Sequence, residues 1–435
     1  MMSLTERLRG VVRPAGSGPV RAGGRALGDS ESTSPDRVAE LLGGEWRQAS
    51  SHRYVVVDRA YAPGHRHGSM SVADGLPPQG GWPRLPLLGG STSGGTLLFL
   101  DLETTGLAGG AGTYAFLVGC GWFDGGRFLV RQFFLSSFAA EHALLEAVRE
   151  VAEAAATVVT YNGKSFDLPL IETRYALNRM ETPFSAMPHI DMLHPARRLW
   201  LGQGDPRRDD TARRAVLPAG GLAPALGCRL SALEQLLLGH EREEDVPGFE
   251  IPARYFRYVH SGDAAPIGDV LEHNRLDLLS LALLTARAAQ LLDEGATGAA
   301  TGREAFGLGW LYARAGMMQE ARVSFARAAD MGPALRAESL RAYAVLSRRL
   351  RRHDDAAEAW RRLLELPDCP AGFVREATEA LAVHHEHRLR SLLSARSFAL
   401  KSLKMDASAS RRHAAEHRLA RLERKLGHAY PAALF

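Results

Sequence analysis

Two acidic residues stand where an apolar strand ends, in the run TLLFLDLETTG at 96–106. Asp101 and Glu103 are two positions apart, and alternate residues of a strand share a face, so both carboxylates point the same way. Charged groups beside a buried strand are costly unless they are paired or bound to a cation. The pair therefore indicates a metal-binding position, although acids also flank strands by chance.

Two further motifs add a histidine and two acids. In TYNGKSFDLP, at 160–169, a strand ends, a tight turn follows, and Asp167 stands at the start of a helix, where it could also serve as a cap. In HNRLD, His273 and Asp277 are four residues apart inside a helix and share a face. Such a pair could be solvated, but the LLSLALL run that follows indicates a mostly buried helix.

The order of these motifs along the chain resembles the DEDD superfamily of 3′–5′ exonucleases. The set consists of a strand with D-x-E, a strand-turn-helix with N-x-x-x-F-D, and a late helix with H-x-x-x-D, over roughly 95–292. A closer resemblance, to the bacterial YprB/MrfB group, is carried by DLETTGLAGGAGTYAFLVG, VTYNGKSFDLPLIETR, LHPARRLW, CRLSALEQ, VPGFEIPARYF and HNRLDLLSLA. That group joins a DEDD nuclease-like domain to tetratricopeptide repeats.

The resemblance implies two divalent ions, Mg²⁺ or Mn²⁺, with Asp101 between them. Glu103 and Asp277 would complete one ion site, and Asp167 would support the other. His273 would accept a proton from the attacking water, a role suited to a near-neutral pKa. In members of the superfamily that use histidine, this residue usually stands five positions before the last aspartate, whereas here it stands four before Asp277.

Other residues are expected to hold the nucleic acid. By the same resemblance, Asn162 would orient the loop or the scissile strand. Four residues after Glu103 would contact the terminal nucleotide through their backbone or, for the last, its side chain: Thr104, Thr105, Gly106 and Leu107. Phosphates could be held by four arginines, as arginine forks do: Arg197, Arg198, Arg207 and Arg208. Asp191, in HIDML, either supports the metal ligands or has a structural role.

The pattern of apolar runs predicts an α/β domain. Three strands that look antiparallel begin at residue 96, and Asp124-Gly125-Gly126 separates the second from the third, which is a hairpin signal. Helices and strands then alternate as far as residue 193. Ser231 and Glu234 have the spacing of a capping box, and a long helix covers about 266–292. This order predicts a mixed sheet flanked by helices, which the resemblance identifies as RNase H-like.

The chain divides into five predicted parts. Residues 1–35 form a disordered basic tail, 36–94 an N-terminal extension and 95–294 the exonuclease-like domain, and a Gly- and Ala-rich linker at 295–302 precedes an all-α domain at 303–435. In that last part, six residues fall at the offsets of a tetratricopeptide unit, and looser copies follow; a generic helical bundle is the alternative. The six are Gly309, Tyr312, Ala321, Phe325, Ala328 and Pro333.

Composition places the chain among globular proteins. Of 435 residues, 46% are hydrophobic and 23% charged, with a net charge of +4. Three distant cysteines support neither a disulfide framework nor a zinc knuckle, and no apolar run is long enough for a signal peptide or a membrane span. We therefore expect a cytoplasmic protein with no membrane partner.

Two features outside these motifs carry weaker signals. The histidines of HRHG, at 65–68, could bind a metal, but the loop shows no second set of ligands. The segment 386–428 has eleven Lys or Arg against four acids, and it is either a nucleic-acid track or a solvated helix face.

Three functions are compatible with this sequence. The first is a metal-dependent exonuclease that acts on DNA in repair, with a protein partner such as a helicase docked on the helical repeats. The second is a scaffold whose nuclease-like domain binds nucleic acid but barely cuts it. The third is an RNase of the same superfamily.

Overall fold

The central sheet is built from strands that the apolar runs of the sequence predict, joined by two that they do not. The computed structural model describes residues 37–49, 52–90, 94–106, 111–201, 229–243, 245–405 and 409–429. The predicted tail at 1–35 and Leu107 lie outside these ranges, as do Arg207 and Arg208.

Seven strands form one mixed sheet, in the order β1-β2-β7-β6-β5-β8-β9. Strands β5, β8 and β9 pair in parallel, and the other pairs are antiparallel. A separate two-stranded ribbon, β3 with β4, lies outside this sheet. The strands are β1 (Glu45–Ala49), β2 (His52–Tyr61), β3 (Arg66–His67), β4 (Met70–Ser71), β5 (Leu97–Thr104), β6 (Ala115–Asp124), β7 (Arg127–Phe134), β8 (Thr157–Thr160) and β9 (His189–Asp191).

The predicted hairpin is confirmed, with β6 and β7 joined at Gly125 and Gly126. Both glycines have positive φ, 54° and 77°, a conformation that disfavours a Cβ. On the far side of β7, β2 pairs with it in register, Val56 opposite Phe133. Residues 45–49 and 52–61, part of the predicted N-terminal extension, therefore belong to the same sheet as the acidic motifs.

Helices cover the sheet and then continue as an all-helical region, which confirms the predicted fold class. The longest helix, α7, packs against β5 and β6 and carries the HNRLD motif. The helices around the sheet are α1 (Val38–Leu41), α2 (Glu141–Glu153), α3 (Asp167–Leu177), α4 (Leu193–Ala196), α5 (Leu230–Leu233), α6 (Ile251–Ser261) and α7 (Ala265–Glu294). Single π-helical turns follow α4, at Arg197–Leu201, and α5, at Glu234–Leu238.

Among the described residues 302–405 and 409–429, seven helices make up the C-terminal region, and each packs on the next. They are α8 (Gly302–Arg314), α9 (Met318–Asp330), α10 (Arg336–Arg349), α11 (His353–Leu364), α12 (Ala371–His387), α13 (Leu392–Met405) and α14 (Ala409–Ala429). Gly309 allows α8 to approach α9, because a Cβ there would lie 2.5 Å from the Phe325 ring. The packing suits the tetratricopeptide pattern, and the assignment of these helices to that family stays a prediction.

One hydrophobic core runs from the sheet into the first C-terminal helices. It joins Phe99 and Leu278–Leu284 to Leu308, Tyr312 and Phe325. The Tyr312 hydroxyl donates a hydrogen bond to the Leu292 carbonyl at 2.5 Å. In the part of the chain that the structure describes, no helix is long and apolar enough to cross a membrane.

Candidate active site

Asp101 and Glu103 lie on β5, between β6 and β8, near the end of the strand. The residues before Asp101 are buried on both faces, so the strand brings its acids into the interior. Burial and the nearby charges of Asp277, Glu103 and Asp167 raise the pKa of Asp101 well above its usual value. Two adjacent carboxylates in such a place have high energy until a cation or a proton neutralises them.

Asp167 reaches the same place from the turn after β8. Its pKa is raised to about 7, chiefly by burial and then by the carboxylates of Asp191 and Asp277. A hydrogen bond from the backbone of Leu102, on β5, opposes this rise and shows that Asp167 contacts the strand between the first two acids. Asp167 is the first residue of α3, whose N-cap residue is Phe166 with no side-chain cap, so the alternative that Asp167 caps this helix is wrong.

The turn that carries Asp167 is fixed by Asp191. One carboxylate oxygen of Asp191 accepts from the backbone N–H of Asn162 at 2.7 Å, and the other accepts from that of Lys164 at 3.1 Å. Asn162 has φ of 67°, and a Cβ at Gly163 would lie 2.3 Å from the Thr160 hydroxyl. Asp191 thus holds the backbone of the loop, which is the structural role that the sequence analysis left open for it.

Helix α7 contributes Asn274, a residue that the sequence analysis did not single out. Its amide donates to Asp101 Oδ2 at 2.8 Å, and its carbonyl oxygen accepts from Gln132 at 2.8 Å. A Cβ at Gly119, on β6, would lie 2.2 Å from the Asn274 carbonyl oxygen, so the helix can pack here only against glycine. This contact fixes the register of α7 against β5.

The same helix brings His273 and Asp277 to the acids. His273 Nε2 lies 3.7 Å from Asp277 Oδ2 and 4.0 Å from Glu103 Oε1. Its other ring nitrogen, Nδ1, lies 2.6 Å from Asp245 Oδ1 and donates a hydrogen bond to it. The spacing of four residues between His273 and Asp277 therefore allows the imidazole to face the carboxylates.

The ionisation of this group is strongly coupled. Burial raises the pKa of Glu103 to about 8, His273 opposes that rise, and Asp277 and Asp167 add to it. Burial alone would lower the pKa of His273, but the hydrogen bond that His273 donates to Asp245 and the charges of Asp277 and Glu103 raise it to about 9. The charge of Asp277 is thus close enough to raise the pKa values of Asp101, Glu103 and Asp167.

Arg242 and Asp245 form a second set of contacts that sequence reasoning missed. Arg242 Nη2 lies 2.5 Å from Asp277 Oδ1 and 2.6 Å from Glu234 Oε2. Burial lowers the pKa of Arg242, but the two acids raise it by more, so that it lies above its usual value. Glu234 faces inward, and α5 has Arg229 as its N-cap residue with no side-chain cap, so the predicted capping box of Ser231 is wrong. The run EREEDVPG has charges but no periodicity that would reveal these partners.

The residues after Glu103 are held by the protein's own backbone. Thr104 Oγ1 donates to the Gly106 carbonyl at 2.9 Å, and the Thr105 N–H donates to the Tyr114 carbonyl at 3.0 Å. The Tyr114 N–H in turn donates to Thr105 Oγ1 at 3.0 Å. Contact of this segment with a nucleotide therefore stays a prediction, and the Thr105 N–H already has an acceptor.

Arg197 and Arg198 lie in the π-helical turn after α4. Burial lowers the pKa of His194, and both arginines lower it further, together with Lys164, while Asp191 opposes them. The two arginines therefore lie near the turn that Asp191 holds. The Nε atom of Arg197 is buried and has no hydrogen-bond partner in the structure. The predicted phosphate contacts of this pair stay a prediction.

Part of the basic charge at 386–428 is neutralised within the fold. Arg421 and Lys425, on α14, contact the buried Glu386 carboxylate at 2.7 and 2.9 Å. These ion pairs lower the pKa of Glu386 to about 2. The remaining basic residues of the segment could form either a nucleic-acid track or a solvated face.

The donor chemistry of the site fits hard divalent cations. Carboxylate oxygens from three elements, β5, the start of α3 and α7, are the ligands that Mg²⁺ and Mn²⁺ prefer. The raised pKa values of Asp101, Glu103 and Asp167 show that negative charge there lacks sufficient compensation. Asp101, Glu103, Asp167 and Asp277 would therefore hold the ions.

Part of the chain is similar to a known protein family. Residues 98–289 match the RNase_H_2 family of the RNase_H superfamily, and this range contains all four acids and His273. This similarity covers less than half of the chain.

One curated relative is a Bacillus subtilis (strain 168) protein with the name "Uncharacterized protein YprB". This chain is 36% identical to it over 186 residues, which are 42% of this chain and 40% of that protein. The chain thus spans about two fifths of the length of the curated relative it matches.

Proposed function

We propose that this protein is a metal-dependent exonuclease that hydrolyses DNA from the 3′ end and acts in DNA repair. The observation that carries the proposal is the carboxylate cluster: the carboxylates of Asp101, Glu103, Asp167 and Asp277, from three elements, beside the oriented His273. Two divalent ions about 4 Å apart stabilise the attacking and leaving oxygens of a phosphodiester. Asp101, Glu103, Asp167 and Asp277 are proposed to hold them.

His273 is proposed to accept the proton of the attacking water at Nε2. Nδ1 donates to Asp245, which fixes the tautomer that leaves Nε2 as the acceptor. With a pKa near 9 the imidazole would be protonated at neutral pH, and the positive charge of bound ions would lower that value. Binding of the ions would thus favour the neutral His273 imidazole, which is the form that accepts a proton.

A nuclease assay with end-labelled strands tests the proposal. We expect Mn²⁺- or Mg²⁺-dependent release of nucleotides from DNA, and in Asp101→Asn a loss of about 10³-fold or more, since metal ligation supplies several kcal/mol of transition-state stabilisation. Asp124→Asn is the matched control, because Asp124 is an exposed acid on the neighbouring strand. It should cleave as the unaltered protein does.

The same assay separates the alternatives. Faster cleavage of RNA than of DNA in direct competition would replace the proposal with an RNase. Binding without cleavage in every divalent metal would contradict the enzyme proposal and favour the scaffold. Strands labelled at either end report the polarity.

A further inference from the structure

Two histidines and a glutamate meet next to Ser280 of α7. His67 is on β3, Glu234 begins the π-helical turn after α5, and His240 follows that turn. The Nε2 atoms of His67 and His240 lie 3.2 and 3.5 Å from the same atom, Glu234 Oε1. His67 and Glu234 are buried, with side-chain exposures of 2% and 0%, and His240 is 27% exposed.

The glutamate oxygen at the centre of this group lacks a hydrogen bond. Glu234 Oε1 is fully buried and has no partner with hydrogen-bond geometry, whereas Oε2 accepts from Arg242. A buried acceptor without a donor costs roughly 1–3 kcal/mol, so such atoms are rare in folded proteins. An ion between Oε1 and the two imidazoles would satisfy it.

The spacing of the three atoms suits a tetrahedral ion. Zn²⁺ binds imidazole nitrogen and carboxylate oxygen at about 2.0–2.2 Å, which puts neighbouring ligand atoms roughly 3.3–3.5 Å apart. The two separations from Glu234 Oε1 fall close to this range, and all three ligand atoms lie within 4.8 Å of one another. Two imidazoles also favour Zn²⁺ over Mg²⁺, which selects oxygen.

We propose that His67, Glu234 and His240 bind one Zn²⁺ ion, with a fourth position open to water beside the partly exposed His240. The Ser280 hydroxyl now lies 2.7 Å from His67 Nε2, and it could instead hydrogen-bond to that water. Arg242 separates this centre from the carboxylate cluster, because its guanidinium bridges Glu234 and Asp277.

The proposed ion would join segments that are far apart in the chain. The loop at 65–71 already approaches the π-helical turn closely, since the Ser69 N–H donates to the Leu238 carbonyl at 2.6 Å and a Cβ at Gly68 would lie 2.1 Å from the same oxygen. The second ligand set that HRHG lacks in sequence is thus supplied about 170 residues later. Arg242 and Asp245, which contact Asp277 and His273, follow directly after His240.

Metal content measures the proposal without reference to nuclease activity. The full chain in the Asp101→Asn background, in which the carboxylate site is impaired, is loaded with Zn²⁺, passed over a desalting column and analysed by mass spectrometry. We expect one zinc per chain, and a loss of nearly all of it in His240→Ala. His65→Ala is the matched control, because the His65 ring packs against the Tyr61 ring at an interplanar angle of 51°, and this variant should keep its zinc.

Cobalt replacement reports the geometry of the site. Co²⁺ bound by His67, Glu234 and His240 should show the intense visible bands of four-coordinate cobalt, and His240→Ala should abolish them. Zn²⁺ should raise the melting temperature of the Asp101→Asn chain, here called the parent chain, and of its His65→Ala variant, but not that of its His240→Ala variant. Since His240 is partly exposed, this variant should fold, and circular dichroism checks that it does.

Two results would overturn the proposal. One is a parent chain that retains no zinc after desalting and shows no visible cobalt bands. The other is a folded His240→Ala variant with the same zinc content as His65→Ala. Either result would leave Glu234 as an acid paired with Arg242 alone.

Discussion

His273 lies between acids that act on it in different ways. Asp245 accepts a hydrogen bond from Nδ1, while Glu103 and Asp277 face Nε2 at 4.0 and 3.7 Å. The first contact fixes the orientation of the ring, and the other two belong to the proposed metal ligands. Asp245 is thus a positioning residue, and its effect can be separated from that of the ligands.

Replacing Asp245 should impair the base without removing the ions. In Asp245→Asn, we expect kcat to fall by about 10–100-fold, as is usual when the partner that orients a functional histidine is lost. Since Asp245 raises the pKa of His273, the rising limb of the pH–rate profile should move to lower pH. Mn²⁺ affinity should stay nearly unchanged, and Asp269→Asn, at an exposed acid of α7, should leave both rate and profile intact. A profile that does not move would contradict the assigned role.

The carboxylate cluster should lower the free energy of unfolding of the protein when no metal is bound. The pKa of Glu103 is about 8 in the folded chain and near 4.5 in the unfolded one, so the folded state binds the proton more tightly. Its ionisation therefore lowers the free energy of unfolding as pH rises from about 4.5 to 8. Without metal at pH 8, Glu103→Gln should be more stable by on the order of 3 kcal/mol, and the gain should vanish below pH 4.5.

Urea unfolding at several pH values measures this gain. Mn²⁺ should stabilise the unaltered protein more than Glu103→Gln, and the variant should have little nuclease activity. Glu153→Gln, at the exposed end of α2, is the control and should show no pH-dependent gain. Equal stability of Glu103→Gln and the unaltered protein at pH 8 would show that ionised Glu103 does not destabilise the fold.

At the scale of elements, the site depends on how closely α7 approaches the sheet. Gly119 provides the space on β6, and Asn274 fills it while hydrogen-bonding to Asp101 and to Gln132. Because Asn274 adjoins His273 and lies one turn before Asp277, a displacement at this point would move both.

A single methyl group tests this packing. Gly119→Ala should cost about 1–3 kcal/mol of unfolding free energy, since the added Cβ overlaps the buried Asn274 amide. It should also weaken Mn²⁺ binding. Gly268→Ala, on helix α7, should be neutral or stabilising by up to about 1 kcal/mol, because no atom lies within 4 Å of the added Cβ. Urea denaturation of both variants gives the comparison, and equal midpoints would contradict the argument.

Elements with strong local signals were predictable, and their tertiary partners were not. Apolar runs and a Gly-Gly turn specify β5, β6 and β7, and LLSLALL specifies the burial of α7. Nothing local pairs β2 with β7, because that pairing depends on the whole sheet. Motif order predicted the four acids, while Arg242, Asp245 and Asn274 act through contacts between segments that composition and spacing do not encode.

At the scale of the whole molecule, the helical region is continuous with the nuclease-like part. Trp200 Nε1 donates to the buried Glu304 carboxylate at 3.0 Å, which also accepts from the Ala300 N–H at 2.8 Å. Helix α8 lies directly on the π-helical turn 197–201, since a Cβ at Gly307 would lie 2.5 Å from the Arg198 carbonyl. This packing is as close as that within a domain, so residues 295–302 do not behave as a free linker between independent units.

The close approach at Gly307 predicts cooperative unfolding. The unaltered protein should lose the sheet and helices α8 and α9 in one calorimetric transition, because they share one core. Gly307→Ala places a methyl group against main-chain atoms that cannot rotate away, so it should lower stability by about 1–3 kcal/mol and expose 295–302 to proteolysis. Gly302→Ala, whose Cβ would meet its neighbours at 3.4 Å or more, should change neither. If Gly307→Ala melts and resists protease as Gly302→Ala does, α8 is only loosely attached, and the arginines at 197–198 do not depend on the helical region for their position.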